Sequence, residues 1–225
     1  MGTHERKERE KEHRREEILA AAQAVFFEKG LQNSTMDEIA ERAELSKGTL
    51  YLYYKSKEDL YLAVMILGME TLYQMFAKAL EDNPNPIEAL QRFGDTYYRY
   101  FDEHRDYFRM MHFFQTPQLH RQVSEEMMHS CTMQNQKIWQ LVVEVIERGM
   151  RDGLFRKDLS ASEMAMILWS ASNAIILRMD YETGEWTKMM NINLDDILRK
   201  SNRLMLEAIL APGVDLASGT SQTKS

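Results

Sequence analysis

The chain has 225 residues, 28 Lys+Arg against 35 Asp+Glu, 44% hydrophobic residues and one cysteine. That length buries a proper core without disulfide staples, and a lone cysteine excludes an intrachain disulfide framework. The charged N-terminus lacks an apolar signal core and no apolar run approaches the ~18 residues of a membrane span, so a soluble, cytoplasmic protein with no membrane partner is expected. The net charge of -7 is unevenly placed: residues 1–57 hold 11 basic and 11 acidic residues, so the acidity lies downstream.

In chain order, residues 1–17 alternate Arg or Lys with Glu, a pattern that fits a solvated helical extension or an arm with Arg14 or Arg15 on a phosphate or in a minor groove. Ile18, Leu19, Ala22, Val25 and Phe26 then recur at helical spacing, and Gly30 is the natural stop. Ser34-Thr35 before Asp37-Glu38 predicts the capped start of a short helix with Met36, Ile39, Ala40 and Ala43 inward. After the Glu44-Leu45 turn, Ser46 caps a second short helix. Its apolar positions Leu45, Leu50 and Tyr54 face a core, while Lys47, Thr49, Tyr51 and Tyr53 face outward. Gly48 leaves room for a close backbone approach.

A longer helix followed by two short ones across a tight turn makes a helix-turn-helix unit. Phe26-x-x-x-Gly30, Thr35-x-x-x-Ile39-Ala40 and the run Leu45-Ser46-Lys47-Gly48-Thr49-Leu50-Tyr51-x-Tyr53-Tyr54-Lys55-Ser56-Lys57-Glu58-x-Leu60 resemble the DNA-binding domain of the tetracycline-repressor (TetR/AcrR) family. The resemblance covers roughly residues 15–62. It implies that Thr35 caps the first short helix and helps hold a phosphate, and that Ser46, Lys47, Gly48 and Thr49 open the recognition helix in the major groove. Tyr51 and Tyr53 would reach phosphates or thymine methyls, and Lys57 would clamp the backbone. The sequence departs from the family pattern at Tyr54, where phenylalanine is common, and at Leu52, where many members carry an aromatic contact residue.

Ser56 caps a long helix running to about Glu81, and Asn83-Pro84-Asn85-Pro86 interrupts the chain. Helices are predicted over about 86–104 and 106–114, dense in Phe, Tyr and Met. Such composition suits an adaptable small-molecule cavity as well as an ordinary core. Tyr97, Phe101, Met110, Phe114, Trp139, Trp169 and Asn173 are the candidate ligand contacts. Pro117 opens a segment leading into a long helix toward Gly149, which carries Cys131 at a packing position. A turn follows over 148–156, Ser160 and Glu163 have the form of a capping box, and a last helix covers about 194–210. The two C-terminal apolar helices, with Ser170, Ala171, Ser172 and Ala174, form either a dimer interface with a second copy or one closed bundle. Residues 212–225 read as a disordered tail.

None of the six histidines forms a His-x-x-x-His pair, and neither Cys-x-x-Cys nor nucleotide-binding glycine patterns occur, so no metal, cofactor or catalytic residue is assigned. The expected fold is all-α: an arm and helix-turn-helix domain over 1–60, a larger helical effector-binding and dimerisation domain over 61–211, and a tail over 212–225. The expected function is a DNA-binding transcriptional regulator, a homodimeric repressor released from a palindromic double-stranded operator by an apolar or amphipathic small molecule. The alternatives are a helical protein-binding scaffold, a small-molecule-binding protein without regulated DNA binding, and an enzyme using the same cavity.

Overall fold

The computed structural model describes residues 3–114, 117–182 and 184–216; residues 217–225, most of the expected tail, lie outside the described residues. The described residues form eleven helices and no strand, with one isolated bridge between Phe155 and Leu210. The helices are α1 (Thr3–Lys29), α2 (Met36–Arg42), α3 (Lys47–Tyr53), α4 (Lys57–Lys78), α5 (Pro86–Glu103), α6 (Arg105–Phe114), α7 (Pro117–His120), α8 (Glu125–Arg151), α9 (Ala161–Tyr181), α10 (Glu185–Met189) and α11 (Leu194–Ile209). They fall into two compact units, one of residues 1–71 with 104–135 and one of 72–103 with 136–225. Helices α6 and α7, which the sequence places in the effector domain, therefore group with the helix-turn-helix.

In the first unit, α1 begins far upstream of its apolar stripe. Its exposed N-terminal half is helical through pairs one turn apart, Arg6 to Glu10 and Arg14 to Glu17, each 2.8 Å. From Ile18 onward, Ala22, Val25 and Phe26 are buried, and Gly30, at φ 69°, ends the helix with its N–H on the Phe26 carbonyl. Phe26 meets Tyr61 of α4 edge-on at 5.2 Å, and Phe27 meets Tyr107 of α6 at 5.0 Å. Gly68 lies under the Tyr107 ring: a Cβ there would stand 2.5 Å from the ring carbon Cγ, so glycine permits the crossing of α4 and α6. Asp59 of α4 is buried and accepts the Ser124 N–H at 2.7 Å, which ties it to the residue preceding α8. On α8, Cys131 is buried and burial pushes its thiol up to about 11.

Hydropathy over α4 corrects the expectation that nothing in the chain reaches membrane-span length. An 18-residue window there averages 1.4, with Glu70 as its one charged residue, and 56% of that window is buried inside the fold. Leu60, Leu62, Val64 and Met65 are among the residues that carry that burial.

The second unit is built on α5. Asn85 caps it by accepting the N–H groups of Ile87 and Glu88, Pro86 occupies the first helical position, and nine residues including Phe93, Tyr97, Tyr100 and Phe101 are buried. Phe93 stacks on Phe76 at 4.6 Å. At the end of α8, Gly149 admits the Phe155 ring, which a Cβ would meet at 2.2 Å. Ser160 and Glu163 form the expected capping box of α9, and Asn193 caps α11. Helices α9 and α11 pack together, joined by a Ser172–Asn202 hydrogen bond of 2.8 Å. The short α10 lies in a stretch that the sequence leaves unassigned.

Candidate nucleic-acid interface

The α2–turn–α3 segment is shaped at its ends by polar side chains. Thr35 Oγ1 accepts the Glu38 N–H at 3.2 Å while a Glu38 carboxylate oxygen accepts the Thr35 N–H at 2.9 Å, a complete capping box. Helix α2 ends in a Schellman arrangement: the Leu45 N–H reaches the Ala40 carbonyl at 2.8 Å, the Glu44 N–H reaches Glu41, and Glu44 sits in the left-handed region at φ 55°. The chain leaves this turn directly into Ser46, whose Oγ accepts the Thr49 N–H at 3.1 Å and starts α3.

These caps aim the faces of α3. Leu50 is fully buried and Tyr54, following the helix, is buried with its phenol pushed upward by desolvation. On the opposite side, Lys47 and Gly48 are exposed, Tyr51 is 45% exposed and Leu52 83% exposed. A large apolar side chain so bare on a seven-residue helix has no packing role within this chain. Thr49 and Tyr53 are half-buried, and the Thr49 hydroxyl pairs with that of Ser46 at 2.8 Å. Thr35 is exposed while its Oγ1 serves the cap.

The basic side chains from Lys29 to Lys57 face partners within the chain. Lys47 Nζ meets Asp37 of α2 at 2.8 Å, and that carboxylate holds the ammonium above its ordinary pKa. Lys29 pairs with Glu38 at 2.7 Å; the Lys29 hydrogen bond, then those from Thr35, hold the Glu38 carboxyl low. Arg42 pairs with Glu28 at 3.0 Å, and Lys55 stands 3.8 Å from Glu126. Lys57 donates to the carbonyls of Leu31 and Ser34, both at 2.7 Å, and so fastens the α1–α2 loop to the start of α4. The spacing of charges along the chain carries no sign of these partners, because Asp37 and Lys47 come together only through the turn between two helices.

The candidate ligand residues divide between the units. In the second, Tyr97 donates to Asn173 Oδ1 at 2.7 Å, and Trp139 meets Trp169 edge-on at 5.7 Å. Tyr97 is buried, which raises its phenol pKa, with an opposing hydrogen bond from Trp169. Tyr97, Asn173, Trp139 and Trp169 thus form one aromatic and amide cluster between α5, α8 and α9. Phe101, buried on α5, belongs to the same unit, whereas Met110 and Phe114 belong to the first. A cleft of about 300 Å³ in the first unit, bordered by Arg15, Tyr53, Lys55, Asp59, Ser124 and Met127, was not foreseen. Its walls come from positions far apart in the chain and share no sequence pattern.

Among the described residues, no group of three or more His, Cys, Asp or Glu side chains is placed to hold a metal ion.

Comparison with known proteins matches residues 18–64 to the model described as bacterial regulatory proteins, tetR family, and residues 86–183 to a tetracyclin repressor-like C-terminal domain. The chain is 27% identical over 146 residues to the HTH-type transcriptional repressor KstR2 of Mycobacterium tuberculosis (strain ATCC 25618 / H37Rv), covering 65% of this chain and 71% of that protein. It is similar to the crystal structure of the TetR family transcriptional regulator PfmR from Thermus thermophilus, with a TM-score of 0.62, 26% identity and coverage of 84% and 97% of the two chains. The fold also matches FadR from Bacillus subtilis, solved in complex with stearoyl-CoA, with a TM-score of 0.65 at 15% identity over 86% and 98% of the chains.

Proposed function

Because the chain belongs to the tetR family of bacterial regulatory proteins, we propose that α3 is its DNA-reading helix, entering the major groove of a palindromic operator as one half of a homodimer. Regulators of this family bind operator DNA, form dimers and answer to small-molecule effectors. The observation that carries the assignment to α3 is its bare outer face: Lys47, Gly48, Tyr51 and Leu52 are exposed over a fully buried Leu50. Lys47 and Thr49 are the side chains suited to base edges. Tyr51, Tyr53 and the Thr35 and Ser46 hydroxyls are suited to phosphates, and Leu52 to a thymine methyl. Lys57 acts on DNA indirectly, by holding the loop that carries α2.

The dimer forms through α9 and α11. Their outer faces expose Met166, Ile167 and Leu204 beside the small residues Ser170 and Ala174, the composition of a helical interface between two copies. The effector is apolar or amphipathic and lies among α5, α8 and α9, where Tyr97 and Asn173 supply polar anchors within an aromatic wall. Its binding favours a conformation in which the two α3 helices no longer match successive major grooves about 34 Å apart. The protein acts in the cytoplasm, without catalysis and without a membrane partner.

The test is a fluorescence anisotropy titration with duplex DNA from upstream of its own gene, over increasing salt. Saturable binding of two protomers per site, weakening steeply with salt, is expected. Lys47→Ala combined with Tyr51→Ala should weaken it by about tenfold or more while leaving the melting temperature nearly unchanged. Normal binding by that double variant would remove α3 from the role assigned to it.

A further inference from the structure

Residues 18–57 contain five basic side chains, Lys29, Arg42, Lys47, Lys55 and Lys57, and every one is engaged within the chain: four face carboxylates and Lys57 faces two carbonyls. Among these pairs, Lys47–Asp37 alone has its cation on α3. Asp37 Oδ1 and Oδ2 lie 2.8 and 3.0 Å from Lys47 Nζ, with the two side chains 66% and 54% exposed. The Asp37 carboxylate is thus placed where a DNA phosphate oxygen would approach the ammonium. It stands in the first turn of α2, where its charge suits the helix N-terminus, but it makes no part of the cap, which is formed by Thr35 and Glu38.

We infer that Asp37 is a positioning and specificity-determining residue, an internal competitor that occupies Lys47 and so restrains binding to DNA of arbitrary sequence. Non-specific binding rests almost entirely on Lys and Arg replacing counterions along the phosphate backbone. A lysine that must first exchange one anion for another gains little from that exchange, and the released Asp37 carboxylate takes up a cation. Backbone attraction alone then yields weak association. A cognate site offers base-edge hydrogen bonds in addition, so the exchange is driven forward only there. The 11-to-11 charge balance of residues 1–57 has the same consequence on a larger scale.

This inference rests on α3 being the DNA-reading helix. The test compares the full-length protein with Asp37→Asn, Asp37→Ser and Asp37→Glu on a random-sequence duplex, between about 50 and 200 mM salt. Asp37→Asn and Asp37→Ser are expected to tighten binding about two- to five-fold at the low-salt end, the scale of an exposed ion pair. The slope of log K against log salt should steepen by up to about 0.9, the contribution of one phosphate contact. Asp37→Glu keeps the carboxylate and should retain the parent slope. In a Lys47→Ala background the effect of Asp37→Asn should vanish. An unchanged slope overturns the inference, as does a gain that persists without Lys47, which would make Asp37 a simple repulsive charge. Failure of the parent protein to bind any duplex in a salt-dependent way overturns the assignment of α3 as well.

Discussion

Helix α3 and helix α5 are stabilised in opposite ways. Helix α3 has seven residues, one of them buried, and depends on the Ser46 cap and the Schellman turn before it. Helix α5 has eighteen residues with nine buried, and its position follows from aromatic packing. A helix that must leave one face bare for a partner cannot be secured by burial on that face, so polar groups at its ends fix it instead. A helix that forms the wall of a core, even when capped as α5 is by Asn85, is held chiefly by burial and is sensitive to every change in volume. The contrast separates mutations that alter what the protein reads from those that alter whether it folds.

The largest expected effect tests the packed side. Phe155→Ala removes a fully buried ring seated against Gly149, and urea unfolding should show a loss of about 3–5 kcal/mol. A loss under about 1 kcal/mol would mean that the second unit tolerates cavities as a loose core does. On the capped side, Thr35→Ala removes the hydroxyl that accepts the Glu38 N–H, leaving only the backbone half of the α2 box, and should cost about 1 kcal/mol. Hydrogen exchange should locate the loosening in α2 and α3 rather than in α5. Equal loosening in both would dissolve the distinction.

Tyr97→Phe sharpens the comparison through pH. It removes the hydrogen bond to Asn173, at a cost of about 0.5–1.5 kcal/mol near neutrality. Burial raises the Tyr97 phenol pKa in the folded protein, so the fold keeps a proton that the unfolded chain loses. That contribution is intact below the ordinary tyrosine pKa of about 10 and is lost as pH rises above it. The parent should therefore lose stability faster than Tyr97→Phe in alkali, and parallel curves would count against the buried phenol.

The smallest effect concerns acid. Glu38 is held low by Lys29 and Thr35, so its contribution is present above the ordinary carboxyl range and fades as pH falls through it. With both side chains more than a third exposed, the pair should produce only a shallow change in the melting curve, and high salt should flatten it further.

The helix-turn-helix was legible because its determinants are local. Thr35, Glu38 and Ser46 act on backbone groups three residues away, and the buried set Ile39, Ala40 and Leu50 repeats with the helix. The remaining features depend on what folding brings together. Nothing near Met110 or Phe114 reveals that α6 groups with the DNA-binding helices, whereas Tyr97, Trp139, Trp169 and Asn173 meet in the other unit. Lys57 reads as a free cation until the α1–α2 loop folds its carbonyls toward it. Residues 3–17 carry no apolar stripe, so only their spacing of opposite charges distinguishes a helix from an arm, and the helix forms.

Cys131 gives the molecule one further property. Its sulfur is buried and burial pushes its thiol pKa up to about 11, so the reactive thiolate is scarce at neutral pH, and it lies beneath other side chains. Towards maleimide reagents the folded protein is in effect free of cysteine. A cysteine introduced at Leu52, on the bare side of α3, would take a fluorophore without any need to remove the native one, and would place that label directly on the surface proposed to meet the operator.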